Sequence, residues 1–318
     1  MTSYLVVGGA GFIGGHLVDR LLTDPATTTV TVFDNFSSGR RTHLEEHASD
    51  PRLTVVSADA RNLPALVDAT KGSDTVVHLA SNPDIARAVS EPAIDFDQGT
   101  LLTHHVLEAA RLAGARTLLY ASGSGVYGDL GEEVVAEDRG PLEPISTYGA
   151  SKLAGEAMLS AYCHLYDRKG VAFRFANVVG PRQTHGVGFD FLRKLAADPS
   201  FLKVMGDGSQ SKSYLHVSDA LDAVLLAGAE SRPSFAAYNV GTDDYLTVRE
   251  ISELAIEVAG IEPGRTRVVF DTADRGWKGD VPVIRLDTSR MRALGWSNRM
   301  SSRQALESSM RAMWAQGG

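Results

Sequence analysis

Leu5-Val6-Val7-Gly8-Gly9-Ala10-Gly11-Phe12-Ile13-Gly14 is the stretch that decides the fold. A short apolar run ends in glycines at positions 8, 11 and 14 and passes directly into apolar helical periodicity. This spacing predicts a strand, a tight turn and a helix. Gly8 permits the turn, Gly11 lets a pyrophosphate approach the backbone at the helix N-terminus, and Gly14 lets helix and strand pack closely. Phe12 and Ile13 lie in the same loop and are counted with it as cofactor-binding candidates. A second β-branched run ends at Asp34, about 20 residues beyond Gly14. A carboxylate there accepts the adenosine ribose hydroxyls and repels a 2′-phosphate, so the expected cofactor is NAD rather than NADP. Arg40 and Arg41 are the opposing signal.

Working outward, apolar runs at Leu53–Ser57, Thr75–Leu79, Thr117–Ala121 and Val171–Phe175 read as further strands, with Tyr4–Val7 and Val30–Asp34 before them. Helical patterns at Phe12–Leu22, Phe96–Leu112 and Tyr148–Tyr166 separate several of them. Wholly apolar strands alternating with helices imply an α/β fold, a Rossmann-type doubly wound parallel sheet covered on both faces. The expected domain is 1–180, with the chain returning to it near 214–242, around Tyr238–Val240. After Pro181 the elements shorten between glycine-rich turns, so 181–318 reads as a smaller, mixed α/β C-terminal substrate lobe.

A net charge of -8 argues against nucleic acid as a partner. With 43% hydrophobic and 22% charged residues the chain is an ordinary globular one. No apolar run approaches the roughly 18 residues that span a membrane, and Tyr4–Val7 lacks the basic flank of a signal peptide. The single cysteine, Cys163, excludes an internal disulfide and a cysteine metal cluster; on an apolar helix it reads as a buried, inert thiol. The expected compartment is the cytoplasm. His43 and His47, one helical turn apart, lack a third ligand at metal spacing, so no metal is expected.

Tyr148 and Lys152, in Ser146-Thr147-Tyr148-Gly149-Ala150-Ser151-Lys152, share one face at the start of a helix. A fixed cation favours a phenolate and lowers the phenol's pKa, which makes the pair a candidate acid/base near neutral pH. Asp59, with Ala60 at the end of the third strand, reaches an adenine amine or caps the next helix. The backbone at Leu79 and Ala80, ending the fourth strand, is expected under the nicotinamide ribose, with His78 packed.

Together, Gly8–Gly14, Asp34-Asn35-Phe36-Ser37-Ser38-Gly39, His78-Leu79-Ala80, Val126-Tyr127-Gly128, Tyr148-x-x-x-Lys152 and Gly206-Asp207-Gly208 resemble the extended short-chain dehydrogenases/reductases. The chain is most similar to NAD-dependent sugar-nucleotide epimerases of the UDP-glucose (UDP-galactose) 4-epimerase type, over nearly its whole length. The resemblance implies bound NAD, held in part by Asn35, Ser37, Ser38 and Gly39, and a nucleoside-diphosphate hexose, a UDP-hexose foremost. It implies oxidation of the 4-hydroxyl with Tyr148 as base, a 4-keto sugar that turns over, and hydride return to its other face. Lys152 matches the lysine that also grips the nicotinamide ribose.

The same resemblance carries Asn177, Arg182, Lys212, Arg275 and Asp280 over as contacts to the diphosphate and nucleotide. Asn177 read on its own is a strand-end cap, and the Arg275–Asp280 segment a solvated charged loop. Two positions depart from the family. Gly123 stands where it has the serine or threonine that orients the reacting hydroxyl; the neighbouring hydroxyls of Ser124 and Ser122 are the candidate replacements, Ser124 first. Gly99 stands where it has an asparagine that supports the lysine. Ser124 and Gly125 occupy the Asp-Glu positions of the 4,6-dehydratases, so the loop lacks a carboxylate for elimination. Helices Phe96–Leu112 and Tyr148–Tyr166 resemble the family's dimer bundle, so a homodimer is expected. The alternatives are a related epimerase of a uronic acid or amino sugar, or a non-catalytic dinucleotide sensor.

Overall fold

The β-branched runs of the first half become the strands of one sheet. The computed structural model describes residues 1–315. In order, the elements are β1 (Thr2–Val7), α1 (Phe12–Thr23), β2 (Thr27–Asp34), β3 (Leu53–Ser57), α2 (Leu63–Thr70) and β4 (Thr75–His78). A π-helical segment, Phe96–Leu101, runs into α3 (Leu102–Ala113) and then β5 (Thr117–Gly123), β6 (Val134–Val135), α4 (Thr147–Leu165) and β7 (Lys169–Phe175). Next come β8 (Asn177–Val179), α5 (Val187–Ala197), β9 (Phe201–Val204), β10 (Ser211–Lys212), β11 (Tyr214–His216), α6 (Val217–Glu230) and β12 (Phe235–Val240). The chain continues through β13 (Leu246–Thr247), α7 (Val248–Val258), β14 (Arg267–Phe270), β15 (Arg285–Leu286), α8 (Ser289–Arg292) and α9 (Ser302–Ala315).

The seven-stranded sheet has the order β12-β7-β5-β4-β1-β2-β3. β1 pairs in parallel with both β2 and β4, β2 with β3, and β4 with β5. The order reverses at β1 and β4, and ligands of such sheets bind beyond the carboxyl ends of the strands at that reversal. The register puts Val7 opposite both Phe33 and His78, and His78 opposite Tyr120. The strand ends that carry Gly8, Asp34, Leu79 and Ala121 are therefore in line.

The chain divides into two compact units. The first holds residues 1–126, 147–174 and 224–238; the second holds 127–146, 175–223 and the chain from 239 onward. Segment 127–146 thus groups with the second unit, and the return to the first is the stretch 224–238. The first unit buries Leu5, Phe33, Leu66, Val106, Leu118 and Leu159 in one core. The second buries Phe191, Leu195, Leu202, Ile251, Leu254 and Met310 in another. No helix among the described residues is long and apolar enough to cross a membrane.

One helix departs from its expected form. The pattern Phe96–Leu112 predicts a continuous α-helix, but its first turns are π-wound. Gly99 lies there with its bare backbone against α4: a Cβ on it would come 2.5 Å from Ser151 Oγ. An insertion of this kind is common where a helix serves a functional site.

Candidate active site

At the first strand end the glycines are dictated by crowding. Gly8 has φ +84°, and a Cβ on it would lie 2.7 Å from the Ala80 amide nitrogen. A Cβ on Gly14 would overlap the Gly8 carbonyl oxygen. Leu79 and Ala80 both donate their amides to the Val7 carbonyl, at 2.9 and 3.0 Å. Gly11 is the N-cap of α1 and offers no side-chain cap, so amide donors of the first turn are left for an anion.

Asp34 is buried and accepts the Ala10 amide at 3.0 Å and the Phe36 amide at 2.8 Å. The carboxylate therefore also braces the glycine loop. Asn35 accepts the Ser37 amide at 3.0 Å and donates to Asp59 at 3.3 Å; Ser37 and Ser38 are exposed, and Ala60 joins the core. Asp59 is held far below the usual carboxylate range by the Arg61 guanidinium, 2.7 Å away. Asn62, not Asp59, caps α2, accepting the Ala65 amide at 3.3 Å. Arg41 stacks on the Phe36 ring, 4.2 Å from its centroid. His43 does not form a metal pair with His47: its Nδ1 meets the Ala10 carbonyl at 2.9 Å, while His47 lies 3.2 Å from Asp19.

Tyr148 and Lys152 occupy the first turns of α4, next to the ends of β4 and β5. The Lys152 ammonium is buried and donates to the Ala121 carbonyl at 2.7 Å. It lies 5.4 Å from the Tyr148 ring centroid and 5.3 Å from that of Tyr120. Burial pulls Lys152 down to about 8, against the opposing pull of Asp95. Tyr148 is partly exposed, yet the surrounding protein raises its pKa, a Ser81 hydrogen bond lowers it and Asp95 raises it. The expectation that the neighbouring cation brings the phenol down is not met by this chain alone: burial, the largest influence, pushes it up. The phenol is therefore protonated at neutral pH. His78 is packed: its Nε2 lies 3.0 Å from Thr103 Oγ1, and burial, with the Lys152 charge second, drops it to about 3.

The end of β5 separates the two candidate serines. Ser122 is buried, and its hydroxyl donates to Glu156 at 2.5 Å. Glu156 is itself in a buried ion pair with Arg174 at 2.7 Å. Ser124 is partly exposed, at the start of a short 3-10 turn. Between them, a Cβ on Gly123 would meet nothing within 4 Å.

In the second unit, Asn177 opens β8 rather than capping a strand end, and its amide group donates to the Ser213 carbonyl at 3.4 Å. Arg182 has φ +66°, the left-handed region. Lys212 and Arg275 do not stand as two open cations. Lys212 pairs with Asp280 at 2.5 Å, and Arg275 pairs with Asp274 at 3.0 Å and with Asp129 at 3.5 Å. Asp280 also accepts the Gly276 amide at 3.2 Å, which closes that loop.

The model of the NAD dependent epimerase/dehydratase family matches residues 4–241. The chain belongs to this family. It is 36% identical over 305 residues to the UDP-glucose 4-epimerase of Mycolicibacterium smegmatis, covering 93% of this chain and 94% of that one. A crystal structure of a UDP-galactose 4-epimerase superposes with a TM-score of 0.87 at 37% identity, covering 99% of this chain and 100% of that one. The Thermus thermophilus UDP-glucose 4-epimerase, solved in complex with NAD, superposes with a TM-score of 0.86 at 30% identity, covering 99% of each chain. NAD is the cofactor of this family member, and the uncapped α1 N-terminus with Asp34 beyond it fits that dinucleotide.

Family membership leaves Ser81, Asp95, Thr147 and Glu156 to the structure, since sequence spacing did not single them out. Asp95 is buried and accepts from Asn82 at 2.9 Å and from Thr147 at 2.7 Å. The only sequence signal for it was a carboxylate at the entry to an apolar helix, which is an ordinary N-terminal residue.

Proposed function

We propose that this chain catalyses the NAD-dependent epimerisation of a nucleoside-diphosphate hexose at C4, with a UDP-hexose foremost, through a transient 4-keto sugar. The observation that carries the reading is the packing of Tyr148 and Lys152 at the carboxyl ends of β4 and β5, in a family whose members are epimerases and dehydratases. When bound, NAD supplies the reversible oxidation of the C4 hydroxyl and the positive charge of its nicotinamide, which favours the phenolate. Tyr148 accepts the proton of the 4-hydroxyl and returns one to the 4-keto oxygen after the sugar has turned. Lys152, fixed on the Ala121 carbonyl, keeps a positive charge near the phenol.

Ser124 orients the reacting hydroxyl. Ser122, the other candidate, already gives its proton to Glu156. The loop 122–125 has no carboxylate, so elimination of water from the keto sugar has no second acid/base there. Asn177, Arg182, Lys212, Arg275 and Asp280 are the proposed diphosphate and nucleotide contacts, with a phosphate drawing Lys212 away from Asp280. The proposed assembly is a homodimer through the Phe96–Leu112 and Tyr148–Tyr166 helices, for which the exposure of Phe96 offers an apolar surface. The buried thiol of Cys163, pushed up to about 11, suits a reducing compartment, and the cytoplasm is the proposed one.

The test is NMR of product formed from a panel of UDP-, dTDP- and GDP-hexoses. The room at Gly123 is the reason to include a UDP-uronic acid and a UDP-amino sugar. Interconversion of the C4 epimers is expected, and Tyr148→Phe should lower turnover by at least about 1,000-fold while NAD stays bound. Full activity of Tyr148→Phe would sink the mechanism. Bound NAD with no turnover of any sugar would favour a sensor.

A further inference from the structure

Asp95 is a buried carboxylate that the chemistry above does not use. Its Oδ1 accepts from Asn82 Nδ2 at 2.9 Å, and its Oδ2 accepts from Thr147 Oγ1 at 2.7 Å. Thr147 is the first residue of α4 and immediately precedes Tyr148. Four residues on from Asp95, Gly99 packs on Ser151, which immediately precedes Lys152. One segment, 95–99, thus touches α4 at two points one turn apart, each next to a residue of the Tyr148–Lys152 pair. The loop after β4 joins the same cluster, through Ser81 to the Tyr148 phenol and through Asn82 to Asp95.

We propose that Asp95 is a positioning residue for this pair: through Thr147 it fixes the first turn of α4, and its charge is the anion that the buried Lys152 ammonium otherwise lacks among the described residues. The inference rests on the proposed acid/base role of Tyr148. The groups facing Lys152 bear this out. From β5 come the Ala121 carbonyl and the Tyr120 ring, both uncharged. From β4 comes His78, which burial keeps neutral. On α4 itself lie Tyr148, which is protonated, and Glu156, whose charge is engaged by Arg174. Asp95 raises the pKa of Lys152 and of Tyr148 alike, so it favours the ammonium and opposes the phenolate. A carboxylate in that place keeps a proton on both members until a positive cofactor or a substrate shifts the balance.

The experiment uses the NAD-loaded protein and compares Asp95→Asn with the parent in two readouts. The first is the pH profile of turnover on whichever sugar nucleotide it epimerises. The second is the phenolate absorbance of Tyr148, taken as the difference from the matching Tyr148→Phe background. Removing the charge should move the alkaline limb, set by loss of the Lys152 proton, about one pH unit lower, and should lower the Tyr148 titration in the same direction. Thr147→Val keeps the charge but breaks the bond to α4; it should lower kcat about 10-fold with KM and the limbs unmoved. Profiles that superpose after scaling, with an unchanged phenolate titration, would overturn the proposal, as would full activity of Thr147→Val. If the parent turns over no sugar, the epimerase reading fails, and the phenolate titration still decides the role of Asp95.

Discussion

Two glycine-bearing stretches of the first unit lie at the carboxyl ends of β1 and β5, with β4 between them, and are built on opposite terms. In the loop after β1, Gly8 and Gly14 have no room for a side chain: one would press on Ala80, the other on the Gly8 carbonyl. At the end of β5, a Cβ on Gly123 would touch nothing within 4 Å. The first loop is glycine because the crowded backbone requires it. Packing does not ask for a glycine at position 123. Position 123, where the resemblance implies a hydroxyl, has room for one.

The comparison can be broken at either loop. The largest effect is expected beneath the open loop, where Ser122 is anchored by the buried Glu156–Arg174 pair. Arg174→Ala leaves Glu156 buried without its partner and should cost about 3–5 kcal/mol in chemical denaturation. A cost under about 1 kcal/mol would show that the pair does not anchor the loop. Next comes Gly14→Ala, which should destabilise by about 1–3 kcal/mol and strip NAD from the purified protein; retained NAD, read by absorbance of the released nucleotide, would refute the crowding argument.

A smaller effect is expected on pH dependence. Burial puts Lys152 at about 8, below its unfolded value, so its proton is lost as pH rises through that point. The charge beside Tyr148 is then present below about 8 and absent above it, and turnover should fall on that alkaline side. A rate still climbing past pH ~9 would contradict this. The smallest effect belongs to Gly123→Ser. Stability should change by less than about 0.5 kcal/mol, because the added atoms meet open space, and turnover should not fall. A drop of more than about 10-fold in kcat/KM would show that the space at position 123 is taken by the sugar.

Much of this was legible in the chain. The run Leu5–Gly14, followed by Asp34, marks the cofactor end of the sheet because each residue there answers a local steric or electrostatic demand. Local demands show in spacing. Tyr148 and Lys152 were readable for the same reason, being one turn apart on one helix. Asp95 was not, because its meaning depends on Thr147, 52 positions away. The engagement of Ser122 was hidden likewise, since Glu156 and Arg174 come from two other elements. The π-wound start of the Phe96 helix was invisible because apolar periodicity cannot register one inserted backbone position. The pairing of Lys212 with Asp280 was also hidden: Lys212 lies in β10 and Asp280 lies 68 positions on.

The most direct measurement follows the hydrogen on the reacting carbon. A nucleoside-diphosphate hexose that the protein turns over, carrying deuterium at C4, is incubated in ordinary water, and the product is analysed by NMR. Deuterium retained at C4 of the epimer is expected, because in the proposed mechanism the hydride leaves and returns within the site while only the hydroxyl proton passes through Tyr148. Deuterium lost to solvent during epimerisation would contradict that mechanism.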